Sequence, residues 1–164
     1  GLGATVIYHD IAPVTPPHPD ITAVPPDELF ATADLVSIHI DGRPSNRRCI
    51  DAARLERLRP DAILVNTSRG MVMDDHALAA ALRDRPDALA LLDVHDPEPI
   101  PADAPLLGVP NAYLFPHLAS RTTSAMAAMG DVVDDVLAVL AGRPPRYPAT
   151  DPDRPVGNPP GGSR

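Results

Sequence analysis

The length, composition and charge of this chain limit the classes of function it can have. Its 164 residues are 44% hydrophobic and 22% charged, which suits one ordinary domain with a buried core. The formal net charge of -8 argues against a nucleic-acid-binding surface, because neutralising phosphates requires clustered Lys and Arg. The single cysteine, Cys49, cannot form an internal disulfide, and the sequence has no apolar run long enough to span a bilayer. We therefore expect a cytoplasmic protein that acts on small molecules.

Short apolar, β-rich runs alternate with helix-forming segments along the chain. The predicted strands are residues 4–8, 35–40, 62–66 and 88–94, with a further short run at 113–115. The predicted helices are residues 27–33, 51–58 and 74–82, and each opens with an Asp that suits an N-cap or first-turn position. Because strand and helix alternate, the sequence predicts an α/β fold whose parallel sheet is buried on both faces.

A longer helix, residues 122–141, is predicted near the end of the chain. Gly142 is placed to terminate it, and apolar residues recur at three- and four-residue spacing. The stripe consists of Met126, Met129, Val133, Val136, Leu137 and Leu140. Core packing is its simplest interpretation. Residues 143–164 have almost no apolar side chains to bury and are predicted to form a disordered or weakly docked tail.

Polar residues follow the predicted strands, where a doubly wound sheet binds its ligand. They are Asp10, residues 67–70, residues 93–98 and His117. Each also has a plain structural interpretation as a loop residue or surface ion pair when considered alone. The histidine and carboxylates of residues 95–98 lie in a proline-rich loop unlike a zinc pair, so no metal site is predicted.

Three other features are assigned to structure rather than chemistry. His39 lies inside an apolar strand and is predicted to be packed and hydrogen-bonded, while Cys49 is interpreted as a small core residue. The opening Gly-Leu-Gly, residues 1–3, is not a dinucleotide-binding fingerprint. That fingerprint needs a preceding strand and a following helix, whereas these glycines lead directly into a strand.

From residue 25 to residue 141 the chain resembles the D-2-hydroxyacid dehydrogenases. The blocks that carry the resemblance are DELFATADLVSIHI, DAARLERLRPDAILVNTSRGMVMDDHALAAALRD and LLDVHDPEPIPADAPLLGVPNAYLFPHLASRT. They contain an Arg, a Glu and a His in the order and spacing of that family. The resemblance implies a partial Rossmann-type doubly wound parallel sheet, with the family's first strand and phosphate loop expected upstream of residue 1.

The resemblance also implies a reaction, the transfer of a hydride between NAD(H) and a small 2-hydroxy or 2-oxo acid. Arg69 would bind the substrate carboxylate and polarise the 2-oxo group, since its fork of donors matches a planar carboxylate. His117 would be the acid/base, and Glu98 would pair with it and orient the ring. The alternative is a non-catalytic dinucleotide-binding module, either a corepressor-like relative or a decayed fragment, because such relatives can keep these three residues.

The cofactor implied by the resemblance is NAD. Asp10 would accept hydrogen bonds from the adenosine ribose, and its charge would repel a 2'-phosphate. The residues assigned to the cofactor beside Asp10 are His39, Thr67, Ser68, Arg69, Asp93, His117 and Ser120. The implied organisation is an incomplete dinucleotide-binding domain at 1–117 and a helical segment at 118–142. That segment would return to a substrate domain that precedes the sequence, and this domain would cover the apolar stripe of the helix. The full-length protein would be a homodimer.

The chain departs from the family pattern at several positions. Residues 41–43 are Asp-Gly-Arg where Pro-Leu-Thr is customary, His95 replaces an aromatic residue, and Leu89 stands where glycine is common. These changes affect the expected shape of the adenine pocket and the packing beneath the fourth strand. Residues 119–122 are similar to glyoxylate and hydroxypyruvate reductases of the family, which indicates the substrate class.

Overall fold

The computed structural model describes residues 3–148. The chain divides into two compact units, Gly1–Ala119 and Ser120–Arg164. Within residues 3–148, no helix is both long and apolar enough to cross a membrane.

The first unit contains two parallel sheets. Strands β1 (Ile7–Tyr8) and β2 (Thr22–Ala23) pair with each other. The larger sheet has the order β3-β4-β5-β6, with all neighbours parallel. Its strands are β3 (Leu35–Ile38), β4 (Ile63–Asn66), β5 (Leu89–Leu92) and β6 (Ala112–Leu114). The predicted α/β fold with parallel strands is confirmed, whereas β2, which is only two residues long, was not predicted.

Helices α1 (Pro26–Thr32), α2 (Ala52–Leu55) and α3 (Asp75–Arg83) connect these strands. Asp51 caps α2 and Asp74 caps α3, each accepting a hydrogen bond from a backbone N–H three residues later. The predicted N-caps of these two helices are therefore confirmed. Helix α2 is shorter than the predicted 51–58, because its end tightens into i to i−3 hydrogen bonds ahead of Pro60.

The core lies between these helices and the larger sheet. Leu55, Leu64, Leu78, Leu82 and Leu106 are among its most fully buried side chains. Burying a side chain of this size stabilises the fold by about 1.5–3 kcal/mol. The predicted burial on both faces is wrong for β3, where Leu35 and Ser37 are exposed and Val36 and Ile38 are buried. Alternate residues of a strand point to opposite faces, so the face of β3 that carries Leu35 and Ser37 is the one left uncovered by the described residues.

Cys49 packs partly buried against this core, in agreement with its interpretation as a small core residue. Its Sγ donates to the carbonyl oxygen of Val72 at 3.7 Å. Burial raises the pKa of the thiol, which keeps it protonated and poorly nucleophilic at neutral pH.

The described part of the second unit has two helices, α4 (Thr123–Gly130) and α5 (Val132–Leu140), where one helix over 122–141 was predicted. The single-helix prediction is wrong because Gly130, a weak helix former, is followed by a tightened turn at Asp131. Thr122 caps α4 by accepting from the N–H of Ala125. Gly142 adopts a φ of 73°, as expected for a residue that terminates a helix.

The apolar stripe of α4 and α5 does not form a core. Neither helix contains a buried residue, and the six stripe residues are each at least half exposed. Periodicity predicts an amphipathic helix but does not supply the surface that covers it. In the predicted tail, the N–H groups of Arg146 and Tyr147 donate to Asp135, and residues 149–164 lie outside the described part of the chain.

Candidate active site

The loops that follow β4, β5 and β6 meet at the carboxyl edge of the larger sheet. They enclose a cavity of about 360 Å³. Its lining consists of Arg69, Gly70, Met71, Val94, His95, Asp96, Glu98 and His117. Parallel strands end at the same edge, so three residues far apart in sequence are brought together there. Arg69, Glu98 and His117 thus line one cavity.

Asn66, at the end of β4, holds the loop that carries Arg69. Its Nδ2 donates to the carbonyl oxygen of Arg69 at 3.1 Å, and its Oδ1 accepts from the N–H and the hydroxyl of Ser68. Asn66 is 1% exposed, while the side chain of Arg69 is exposed beside the cavity. Sequence reasoning placed Asn66 only in a strand. Its position, as an amide at the end of an otherwise apolar strand, is the feature that could have indicated this supporting role.

Gly70 permits the closest approach between two of these loops. A Cβ built at this position would lie 2.0 Å from the carbonyl carbon of His95. No side chain fits at that distance, so glycine is required for the loops after β4 and β5 to meet. The stem of Arg69 is similarly close to Gly42, where an added Cβ would lie 3.1 Å from the Cγ of Arg69.

The departure at residues 41–43 forms an ion-paired turn beside Arg69. The Nε of Arg43 donates to Asp41 Oδ1 at 2.8 Å, and Asn46 donates to the same carboxylate. These contacts, with the Arg43 side chain foremost, lower the pKa of Asp41 to about 2. The Asp41 carboxylate therefore stays ionised at physiological pH and balances the charge of Arg43.

Glu98 and His117 form a hydrogen-bonded pair at the cavity. The Nδ1 of His117 lies 2.9 Å from Glu98 Oε2, and the backbone N–H of His95 donates to Glu98 Oε1 at 2.9 Å. These two bonds, that with His117 first, lower the pKa of Glu98. An ionised carboxylate only accepts, so Nδ1 carries a proton and Nε2 is the ring atom left for chemistry.

Asp93 fixes the segment that follows His117. It is 7% exposed, and its two carboxylate oxygens accept from the N–H groups of Leu118 and Ala119, both at 2.7 Å. Charge-assisted bonds of this length are the stronger kind. His117 itself adopts a φ of 54°, the left-handed region that is uncommon for a residue with a side chain. The two bonds to the Asp93 carboxylate thus hold the backbone that directly follows His117 in place.

The remaining residues predicted to contact cofactor are more dispersed. Asp10 is exposed two residues after β1, and its Oδ1 accepts from the N–H of Ala12 at 2.8 Å. The structure corrects the prediction that His39 is packed within a strand. His39 lies just beyond the end of β3, is exposed, and bonds through Nε2 to the hydroxyl of Ser37 at 2.8 Å. Thr67 is exposed as well, and Ser120 begins the second unit.

The described cavity therefore gathers only part of the predicted set. Its lining includes Arg69, Glu98 and His117 and does not include Asp10, His39, Thr67, Ser68 or Asp93. Among residues 3–148, no group of three or more His, Cys, Asp or Glu is arranged to hold a metal ion. Arg69 can bind an anion, and His117 with Glu98 can move a proton, within a single cavity.

Comparison with known proteins gives one consistent result. A family model described as "D-isomer specific 2-hydroxyacid dehydrogenase, NAD binding domain" matches residues 1–119. Glyoxylate/hydroxypyruvate reductase B from Enterobacter agglomerans is 38% identical over 118 residues, which make up 71% of this chain and 36% of that protein. The chain spans 36% to 45% of the length of the first curated relatives it matches.

Two solved structures show the same likeness at the level of the fold. The D-isomer specific 2-hydroxyacid dehydrogenase from Xanthobacter autotrophicus Py2, in complex with NADPH and MES, has a TM-score of 0.73 and 30% identity, covering 88% of this chain and 60% of that one. The enzyme of the same description from Lactobacillus delbrueckii ssp. bulgaricus, in its NAD-complexed form, has a TM-score of 0.74 and 29% identity. That match covers 88% of this chain and 48% of the other.

Proposed function

The chain belongs to the D-isomer specific 2-hydroxyacid dehydrogenase family and carries its NAD-binding domain, and we propose that it provides the reacting groups of an NAD-dependent oxidoreductase. The substrates are small 2-hydroxy and 2-oxo acids. The observation that carries the proposal is the meeting of three groups in one cavity. Arg69 lines it together with a His117 whose Nδ1 is 2.9 Å from Glu98.

The carboxyl edge of the first unit has groups that fit a dinucleotide. Asp10 presents an exposed carboxylate just after β1, and only Oδ1 is engaged by the N–H of Ala12 in the described contacts. Its remaining acceptor capacity suits ribose hydroxyls, and its charge disfavours a 2'-phosphate, which favours NAD over NADP. Bound NAD(H) supplies or accepts the hydride. We propose that His39, Thr67, Ser68 and Asp93 also lie on the cofactor side.

Arg69 is the proposed site for the substrate carboxylate. Its guanidinium offers five N–H donors, of which one bonds the carbonyl oxygen of Ser68 at 2.6 Å. The others can engage a carboxylate in the two-pronged geometry that a lysine lacks. Asn66 fixes the backbone of Arg69, and the bond to Ser68 holds one N–H of the guanidinium. A substrate whose carboxylate is bound by Arg69 would lie in the cavity that His117 also lines.

His117 is the proposed acid/base. With Nδ1 bonded to Glu98, the Nε2–H of the imidazolium gives its proton to the 2-oxo oxygen during reduction. In oxidation, the neutral ring takes that proton back at Nε2. Glu98 stays ionised at neutral pH because its pKa is lowered, so it stabilises the imidazolium and prevents the ring from rotating.

The relatives narrow the proposed substrates. The matching curated proteins include enzymes named glyoxylate/hydroxypyruvate reductase and glyoxylate reductase. We propose that glyoxylate and hydroxypyruvate are the preferred 2-oxo acids, and that the complete protein works as a homodimer.

The test is an assay of NADH oxidation by the product of the complete gene, with glyoxylate, hydroxypyruvate, pyruvate and phenylpyruvate. His117→Gln should lower kcat by about 10²–10⁴-fold, the usual contribution of a positioned acid/base. The matched control is His18→Gln, which alters an exposed histidine between β1 and β2 and should leave kcat unchanged. Near-normal turnover in His117→Gln would contradict the acid/base assignment. A protein that binds NADH but reduces none of the four acids would favour a non-catalytic dinucleotide-binding module instead.

A further inference from the structure

His95 lies at the junction between the loop that carries Glu98 and the strand that leads to His117. Its backbone N–H donates to Glu98 Oε1 at 2.9 Å. Its side-chain Nε2 is 2.9 Å from the carbonyl oxygen of Phe115, two residues before His117. A carbonyl oxygen only accepts, so Nε2 carries the proton of this bond. One residue therefore contacts both sides of the acid/base pair.

The orientation of the His95 ring is set by that bond to Phe115. The other ring nitrogen, Nδ1, is buried and has no hydrogen-bond partner among the described residues. Leaving a buried polar atom unpaired costs about 1–3 kcal/mol, so the ring is held this way by its other contacts. His95 also lines two cavities, the one that holds His117 and a second, of about 250 Å³, that includes Asp75 and Asp103.

We propose that His95 is a positioning residue. Its imidazole bonds the end of β6 to the loop after β5 and thereby keeps Glu98 and His117 at hydrogen-bonding distance. Glu98 reaches His117 across 18 intervening residues, and the only covalent route between them is the long connection through residues 99–116. The bond from His95 to Phe115 is a shorter link between the two segments. This is also a position where the family resemblance leads one to expect an aromatic residue.

Two variants distinguish the effect of the side-chain N–H donor of His95 from the effect of its aromatic ring. His95→Phe keeps an aromatic ring of similar size but removes the N–H, and His95→Gln can place an amide N–H near the position of Nε2. Both keep the backbone N–H that donates to Glu98. His95→Asn has an amide that is too short to reach Phe115, so it should behave like His95→Phe and serves in its place if the phenylalanine variant does not fold.

The positioning role of His95 rests on the proposed function only where it predicts an effect on turnover. The first measurement therefore does not depend on enzyme activity. The carboxyl carbon of Glu98 and the Nδ1–H of His117 are followed by NMR over a pH series in the full-length protein. In His95→Phe we expect the pKa of Glu98 to rise towards its ordinary value of 4.5 and the Nδ1–H signal to broaden. His95→Gln should restore both signals to the wild-type pattern.

Turnover supplies the second measurement. We expect kcat to fall about tenfold in His95→Phe, with KM changed less than twofold, because misplacing a reacting group slows chemistry more than binding. Wild-type Glu98 and His117 signals in a folded His95→Phe protein would overturn the proposal, as would equal perturbation by His95→Phe and His95→Gln. Altered NMR signals in a protein without dehydrogenase activity would uphold the positioning role and refute the proposed function.

Discussion

At the amino end of the larger sheet, Asn111 is 8% exposed and its Nδ2 donates to the carbonyl oxygens of Leu82, Arg85 and Ala88. At the carboxyl end, the buried side chains of Asn66 and Asp93 also bond to backbone groups. Both ends thus bury polar groups and pair them, as a low-dielectric interior requires.

The two ends differ in what those bonds support. Asn111 ties the end of α3 to the start of β5, and its three acceptors are backbone groups within the fold. Asn66 and Asp93 instead hold loops whose side chains point into a solvent-accessible cavity. The difference teaches that similar buried amides and carboxylates serve stability alone at one end and the placement of reacting groups at the other. Variants at each end should therefore separate unfolding free energy from site geometry.

The largest expected effect comes from Gly70→Ala, which forces the two loops of the carboxyl end apart. An added Cβ would lie 2.0 Å from His95 backbone, so the loop must move rather than a flexible side chain. We expect the free energy of unfolding to fall by about 3 kcal/mol or more, at the upper end of overpacking effects. Urea denaturation of the variant and the wild type measures this loss of unfolding free energy. Gly130→Ala is the control, since nothing lies within 4 Å of an added Cβ there and stability should be equal or higher. A Gly70→Ala protein within 0.5 kcal/mol of wild type, an ordinary surface effect, would show that the loops are not held this closely.

A second pair of variants tests the comparison directly. Asn111→Ala removes the buried amide that donates to three carbonyl oxygens, of which those of Leu82 and Arg85 keep a backbone N–H donor, and should lower the free energy of unfolding by about 2–3 kcal/mol. The NMR signals of Glu98 and His117 should not change. Asp93→Asn should cost less, about 1–2 kcal/mol, because one acceptor oxygen remains, but it should shift the amide signals of Leu118 and Ala119 and those of His117. Equal effects of the two variants on the His117 signals would remove the distinction between the two ends.

The smallest expected effect concerns Asp75, beside the second cavity. Burial raises its pKa from 3.8 to about 6, so the folded state binds this proton more tightly than the unfolded state does. Protonated Asp75 therefore adds to the free energy of unfolding below about pH 4. This contribution declines between pH 4 and 6 and is absent at neutral pH, where the buried carboxylate is ionised and less well solvated than in the unfolded chain. Asp75→Asn should thus raise the free energy of unfolding by about 1 kcal/mol at pH 7, a figure reduced for solvent screening, and by almost nothing at pH 4. Urea midpoints at the two pH values measure this, with Asp103→Asn as a control for removing a charge from the same cavity. A gain of the same size at both pH values would mean that burial of Asp75 is not the cause.

The sequence predicted the local elements well where short-range chemistry decides them. Asp51 and Asp74 cap helices as expected, and five of the six strands coincide with apolar, β-rich runs. It did not predict the break at Gly130, because a mid-helix glycine is tolerated or interrupts according to its surroundings. His39 was misassigned for a related reason, since an apolar run does not show where its strand ends.

What the sequence by itself determined was the order of the elements, because apolar periodicity and capping residues are local features of the chain. The choice of Arg69, Glu98 and His117 came from the resemblance of its motifs to one family. Only the tertiary structure decided that these three line one cavity, that Gly70 admits the backbone of His95, and that His95 bonds Phe115. It also decided that Asn66 and Asp93 act as supports and that the stripe on α4 and α5 stays exposed. The physical reason is that such contacts join segments distant in the chain. Their distances follow from how parallel strands and their loops pack, and not from any single stretch of residues.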